Sequence, residues 1–166
     1  MLNKLKKIKL IAMDVDGTMT NGGLYYSTEG LAMKRFYAQD GMGITLLNQS
    51  GILSAIISSD MSDIPLVRAE RLHITHFIGG AAPKEPTFTA LLQRISIAYK
   101  EVAYIGDDIN DIALLEKCGF AMCPADAHQS VKDIADYVSK FPGGKGAVRE
   151  LCEMVLLAQN LPIVLI

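Results

Sequence analysis

Two aspartates two positions apart, Asp14 and Asp16, stand where the apolar run Ile8 to Met13 gives way to a Gly17-Thr18 turn. Like charges at ~4 Å repel by about 4 kcal/mol at an effective dielectric of roughly 20, so the pair is costly unless a cation or a phosphorylated ligand sits beside it. Further along, Ser58 closes a second apolar run, Lys84 heads a helical stretch, and Gly106-Asp107-Asp108 with Asp111 follows another run. Carboxylates, a hydroxyl and a lysine in this arrangement suit phosphoryl transfer through a covalent aspartyl phosphate.

That chemistry assigns roles. A carboxylate nucleophile can approach a phosphate dianion only with positive charge near both. Mg²⁺, held by two or so carboxylates and several waters, supplies part of it, and Asp14 and Asp107 are its expected side-chain ligands, with the backbone carbonyl of Asp16 as a third. Lys84 would neutralise the moving phosphoryl group, while the Ser58 hydroxyl and backbone N–H groups bind its oxygens. Asp16, two residues past the nucleophile Asp14, would protonate the leaving alcohol and then deprotonate the attacking water. Asp108 and Asp111 would hold waters and orient Lys84.

These residues need a scaffold that collects chain ends along one edge. Short apolar runs at Ile8 to Met13, Leu53 to Ser58, His76 to Ile78, Val102 to Ile105 and Phe120 to Met122 read as strands. Between them, Phe88, Leu91, Leu92 and Ile95 repeat at helical spacing, as do Val148, Leu151, Cys152 and Val155. Pro86 is tolerable in a first helical turn. Alternating strands and helices predict a three-layer, doubly wound α/β fold with a parallel sheet, and its carboxyl edge is where such sheets bind ligands. Leu24 to Ser27 and Ala32 to Tyr37, joined through Thr28-Glu29-Gly30, read as a β-hairpin inserted before a helix that begins near Gly41. No linker or repeat divides residues 1–166, so a single domain is expected.

Of the 166 residues, half are hydrophobic and a fifth charged, with a net charge of −2. That balance, with no basic run longer than Lys6-Lys7, argues against a nucleic-acid partner. The apolar stretch ending at Asp14 is too short to cross a bilayer or to drive export, so no membrane partner is expected. The three cysteines, Cys118, Cys123 and Cys152, show no metal or disulfide spacing and fit a reducing, cytoplasmic setting. The three histidines likewise lack ligand spacing, the eight methionines form no stripe, and both sets read as structural. The loop Gly143-Gly144-Lys145-Gly146 lacks P-loop spacing and reads as a turn into the last helix. The apolar tail, Leu161 to Ile166, is expected to pack at a subunit interface.

The sequence D-V-D-G-T, a strand-terminal Ser58, Lys84 opening a helix, and G-D-D-I-N-D together resemble the four motifs of the haloacid dehalogenase superfamily of phosphatases, in the usual order. The early hairpin, Q-D-G-M-G-I at 39 to 44, A-D-A-H at 125 to 128 and G-G-K-G-A-V-R-E at 143 to 150 resemble the small capless branch acting on 3-deoxy-D-manno-octulosonate 8-phosphate. The resemblance implies a sugar-acid phosphate substrate, a role in lipopolysaccharide biosynthesis, and a homotetramer whose hairpins associate and whose neighbouring subunits cover the site. It also implies substrate contacts at Ser59, Asp60, Arg68 and Lys145. Two positions depart from the branch: Ser58-Ser59-Asp60 replaces Thr-Gly-Arg, and Gln39 stands where Arg often precedes Asp-Gly. Both bear on substrate choice and keep nonulosonate 9-phosphates open as the alternative.

Two other classes remain. A receiver-type domain also combines an acidic pair, a Ser/Thr and a Lys, but its phosphorylated Asp follows the third strand, where this chain has Gly79-Gly80. A catalytically idle oligomerisation module would not require Asp14, Asp16, Lys84 and Asp107 together.

Overall fold

The computed structural model describes residues 1–164. A short helix, α1 (Leu2–Leu5), leads into β1 (Leu10–Met13), and a wide loop at Val15–Met19 then opens the hairpin of β2 (Thr20–Ser27) and β3 (Gly30–Phe36). There follow α2 (Ala38–Gln49), β4 (Leu53–Ile57), α3 (Ile64–Arg71), β5 (His76–Ile78), α4 (Lys84–Ile95) and β6 (Val102–Ile105). The chain continues through α5 (Ile112–Leu115), β7 (Phe120–Cys123), α6 (Gln129–Lys132), β8 (Tyr137–Val138) and α7 (Ala147–Ala158).

Six strands form one parallel sheet in the order β5-β4-β1-β6-β7-β8. β1, β6 and β7 are buried at every residue, as expected of parallel strands covered on both faces. Alternate residues feed two cores. Ile11, Met13, Ile56, Ile105 and Met122 pack with residues of α2 and α7 on one face, and Leu10, Ala12, Ile57, Tyr104 and Cys123 pack with α4 and α5 on the other. Phe88 of α4 is wholly buried, a burial worth about 1.5–3 kcal/mol. This is the expected three-layer, doubly wound α/β fold. The only strands outside the main sheet, among the described residues, are β2 and β3.

The strand order reverses at β1. From there the chain first builds β4 and β5 on one side, then crosses to build β6, β7 and β8 on the other, which leaves a crevice at the carboxyl ends of β1 and β6. Register brings those ends level, for Met13 lies beside Ile105 and the Asp14 N–H donates to the Ile105 carbonyl at 3.0 Å.

Several boundaries differ from the sequence reading. β1 begins at Leu10, because Ile8 and Lys9 form an irregular link between the turn after α1 and the strand, although Ile8 is buried. The hairpin starts at Thr20 rather than Leu24, because Asn21-Gly22-Gly23 forms strand with a register irregularity between Thr20 and Leu24. α2 begins at Ala38, and β8 is too short to leave a periodic signal. Of the apolar tail, the last two residues lie outside the described residues.

The loop before α7 also explains its glycines. A Cβ on Gly143 would lie 1.7 Å from the Gly17 carbonyl oxygen, so this loop is pressed against the loop that follows β1. The Gly143 N–H donates to Asp126 Oδ1 at 2.8 Å and Gly144 N–H to the Thr18 carbonyl at 3.0 Å. Gly143-Gly144 is therefore a buttress for the Asp14–Thr18 loop. Gly143→Ala is expected to destabilise the fold by about 3 kcal/mol, read as a lowered midpoint in denaturant unfolding. An unchanged midpoint would contradict the close approach.

Candidate active site

Asp14 is the first residue past β1, and after it the backbone turns sharply. The turn breaks at Asp16 (φ −79°, ψ 117°) and at Gly17 (φ 85°). Gly17 is required twice over, by its positive φ and because a Cβ there would sit 2.0 Å from Asp107 Oδ2. The tight pass draws the first motif against Asp107, whose Oδ1 accepts the Thr18 hydroxyl at 3.2 Å. One oxygen from each of Asp14, Asp107 and Asp111 lies within 4.8 Å of the others.

Lys84, at the first position of α4, reaches into this acidic cluster with a side chain only 1% exposed. Its Nζ lies 2.5 Å from Asp14 Oδ1 and 2.7 Å from Asp111 Oδ1. Asp111 is fixed in turn by the Tyr104 hydroxyl, which donates at 2.6 Å, and by the Asp107 N–H at 3.1 Å. Asp111 is thus engaged as an anchor for Lys84, which leaves Asp14 and Asp107 as the freer carboxylates. Burial, then repulsion from Asp111, pushes Asp14 up to about 6. Burial, then repulsion from Asp14, pushes Asp107 up to about 8. Lys84 is raised above its usual value: burial opposes its charge, but Asp14 and Asp111 outweigh that.

A second ion cluster lies beside the first. Lys34 of β3, its side chain also 1% exposed, bridges Asp16 Oδ2 at 2.6 Å and Asp60 Oδ2 at 2.7 Å. Asp60 further accepts from the Ser62 hydroxyl at 2.6 Å and the Ser62 N–H at 2.9 Å. Burial opposes the charge on Asp60, but the bonds from Lys34 and Ser62 hold it below the usual carboxylate range.

Between the clusters is a cavity of about 270 Å³ lined by Asp14, Asp16, Ser58, Ser59, Asp60, Asp107 and Asp108. The Ser58 hydroxyl accepts the Asp60 N–H at 3.1 Å, so its own proton is available to a ligand oxygen. The Ser59 hydroxyl instead donates to the Ala81 carbonyl at 3.0 Å. Asp108 turns its carboxylate onto the Ile109 N–H at 2.7 Å, capping its own turn, and Lys84 is oriented by Asp111. Arg68 and Lys145 do not line this cavity. The Arg68 guanidinium lies over the Phe36 ring, 5.4 Å from its centroid, and Lys145 is exposed on the loop before α7. Sequence reasoning missed Lys34, whose hairpin lacks any motif, and Tyr104, which reads as one more apolar residue in β6.

The acidic site fits a hard divalent cation: five carboxylates face two ammonium groups, and the two freer ones are the pair that burial, and then repulsion, has raised. Residues 54–151 match the family described as haloacid dehalogenase-like hydrolase. The chain belongs to the haloacid dehalogenase-like hydrolases. It is 40% identical over 157 residues to the 3-deoxy-D-manno-octulosonate 8-phosphate phosphatase of Escherichia coli K12, covering 95% of this chain and 84% of that one. The crystal structure of the Moraxella catarrhalis phosphatase of the same name, in complex with magnesium ion, phosphate ion and KDO molecule, has a TM-score of 0.93 and 41% identity, covering 96% of this chain and 91% of that one. The cobalt-bound form of the Haemophilus influenzae enzyme has a TM-score of 0.91 and 39% identity, covering 95% and 92%. Within the haloacid dehalogenase-like hydrolases, this chain therefore keeps the fold over almost its full length.

The raised carboxylates set a pH test. Folded metal-free protein keeps protons on Asp14 and Asp107 that an unfolded chain releases near pH 4, so their contribution to stability is present at acid pH and is lost as pH rises towards about 8. A cation on the ionised pair reverses this. The rise in Tm on adding Mg²⁺ to chelator-treated protein is expected to grow steadily between about pH 5 and about pH 8. A rise of equal size at both ends of that range would contradict the assignment of this pair.

Proposed function

We propose that this chain is a Mg²⁺-dependent phosphatase that hydrolyses an acidic sugar phosphate, 3-deoxy-D-manno-octulosonate 8-phosphate, through a phosphoryl group carried briefly on Asp14. The observation that carries the reading is Lys84 Nζ at 2.5 Å from Asp14, within a three-carboxylate cluster at the switch point of the sheet. Extensive identity to phosphatases of that name supports the substrate.

Asp14 and Asp107, with the Asp16 carbonyl, would hold Mg²⁺, which supplies positive charge that lets an anionic nucleophile meet an anionic phosphate. The Asp14 carboxylate attacks phosphorus as the bond to the sugar oxygen breaks. Asp16, as the carboxylic acid, gives its proton to that departing oxygen and becomes a carboxylate. Lys84 and the Ser58 hydroxyl bind the phosphoryl oxygens as charge shifts across them. Asp16 then takes a proton from water as the water attacks phosphorus, which frees Asp14 and releases phosphate. Asp111 keeps Lys84 aimed at Asp14.

A second substrate reading rests on Asp60, whose acidic side chain lines the cavity. An acidic wall favours a bulkier or amino-bearing sugar acid, such as a nonulosonate 9-phosphate. A turnover screen across octulosonate and nonulosonate phosphates decides between the two, and the greatest kcat/KM is expected for octulosonate 8-phosphate. Asp14→Asn is expected to abolish turnover of every substrate, since an amide cannot accept the phosphoryl group. Substantial activity in that variant would remove the covalent mechanism.

The assembly is proposed to be a homotetramer in the cytoplasm, serving lipopolysaccharide biosynthesis. Among the described residues no helix is long and apolar enough to cross a membrane. The hairpin exposes Leu24, Tyr25, Tyr26 and Met33, an apolar surface suited to covering by another subunit. Light scattering coupled to size-exclusion chromatography is expected to give four times the 18.0 kDa chain mass. A fully active monomer at assay concentration would refute it.

A further inference from the structure

Asp16 is held at one oxygen only. Its Oδ2 accepts from Lys34, while Oδ1 is buried without a hydrogen-bond partner on a residue that lines the cavity. No other hydrogen bond to this carboxylate is made among the described residues, and the backbone at Asp16 and Gly17 departs from the helical turns on either side. The orientation of the carboxylate therefore depends on a lysine that the hairpin carries in from outside the main sheet. Lys34 is itself located by a second anion: Asp60 shares the same ammonium, and the two bonds from Ser62 fix Asp60.

We propose that Lys34 is a positioning residue for the acid–base step, fixing the Asp16 carboxyl group at the cavity through Oδ2. An ammonium has donors and no acceptor, so Lys34 donates to Oδ2 in both protonation states of Asp16 and takes no proton from it. When the P–O bond to the sugar breaks, the Asp16 proton passes to the departing oxygen and the resulting carboxylate stays beside Lys34, its charge compensated. Asp16 then takes a proton from the attacking water. Asp60 acts one step removed, as the group that keeps Lys34 in place.

The inference rests on the phosphatase reading, and the test separates the two. It compares kcat/KM, with Mg²⁺, for a sugar phosphate whose alkoxide leaving group needs a proton and for p-nitrophenyl phosphate, whose leaving group does not. This ratio covers the steps through departure of the leaving group and is blind to the later hydrolysis common to both esters. Lys34→Met is expected to lose on the order of 10²-fold on the sugar phosphate and no more than about 3-fold on the aryl ester. The double variant Lys34→Met/Asp60→Asn removes one of the two carboxylates that would lose their ammonium, which protects the fold, and is expected to show the same dependence on leaving group. Equal losses on both esters in both variants, or no loss on the sugar phosphate, overturn the proposal while wild-type turnover leaves the phosphatase reading standing. Wild-type protein that hydrolyses neither ester overturns both.

Discussion

Lys84 sits between Asp14 and Asp111 with almost no contact with water, and the arrangement around it follows from that contact. A buried ammonium with two carboxylates is stable only while all three are present, since removing one partner of a buried pair costs about 3–5 kcal/mol. Asp107, a further carboxylate, shares this site without an ammonium of its own, and burial with repulsion from Asp14 raises it to about 8. The cluster is therefore built around a deficit of positive charge. A fold that needed only a stable sheet edge would not concentrate carboxylates here.

The parallel sheet makes this crowding possible. Register between β1 and β6 sets Asp14 and Asp107 on adjacent strand ends, and the glycine-tight turns let the loops press together. Support comes from distant parts of the chain: Asp126 fixes Gly143, whose loop backs the Asp14–Thr18 turn, while His128 N–H donates to the Asp107 carbonyl at 2.8 Å. These contacts give the A-D-A-H and G-G-K-G segments a physical role as braces. The hairpin supplies the remaining ammonium, Lys34, so the charge beside Asp16 and Asp60 is balanced by an element outside the main sheet.

The legible parts of the sequence were those with a local signal. Apolar runs ending in polar residues located the five longer strands of the main sheet, and helical spacing located α4 and α7. Asp14, Asp16, Ser58, Lys84 and Asp107 were legible because each stands at the end of such a run or the head of a helix, and the structure brings them together at one edge. Lys34 was not legible, because nothing in the hairpin's sequence indicates that one lysine folds inward to two aspartates 18 and 26 positions away. Tyr104 was hidden in a strand whose other residues are apolar, and β8 was too short to carry a period. Asp108 and Asp111 looked alike as neighbours in one motif. Only the turn geometry separates them, sending Asp108 to its own backbone and Asp111 to Lys84.

In the proposed mechanism Asp14 is the group that accepts phosphate. Protein turning over substrate with Mg²⁺ can be quenched in acid, reduced with borohydride and digested, since an acyl phosphate is reduced to an alcohol whereas a free carboxylate is not. Mass spectrometry of the peptide spanning β1 is expected to find homoserine at position 14 and unmodified Asp16. Homoserine at Asp16, Asp107 or Asp111 instead, or no reduced residue in protein quenched during turnover, would contradict the account.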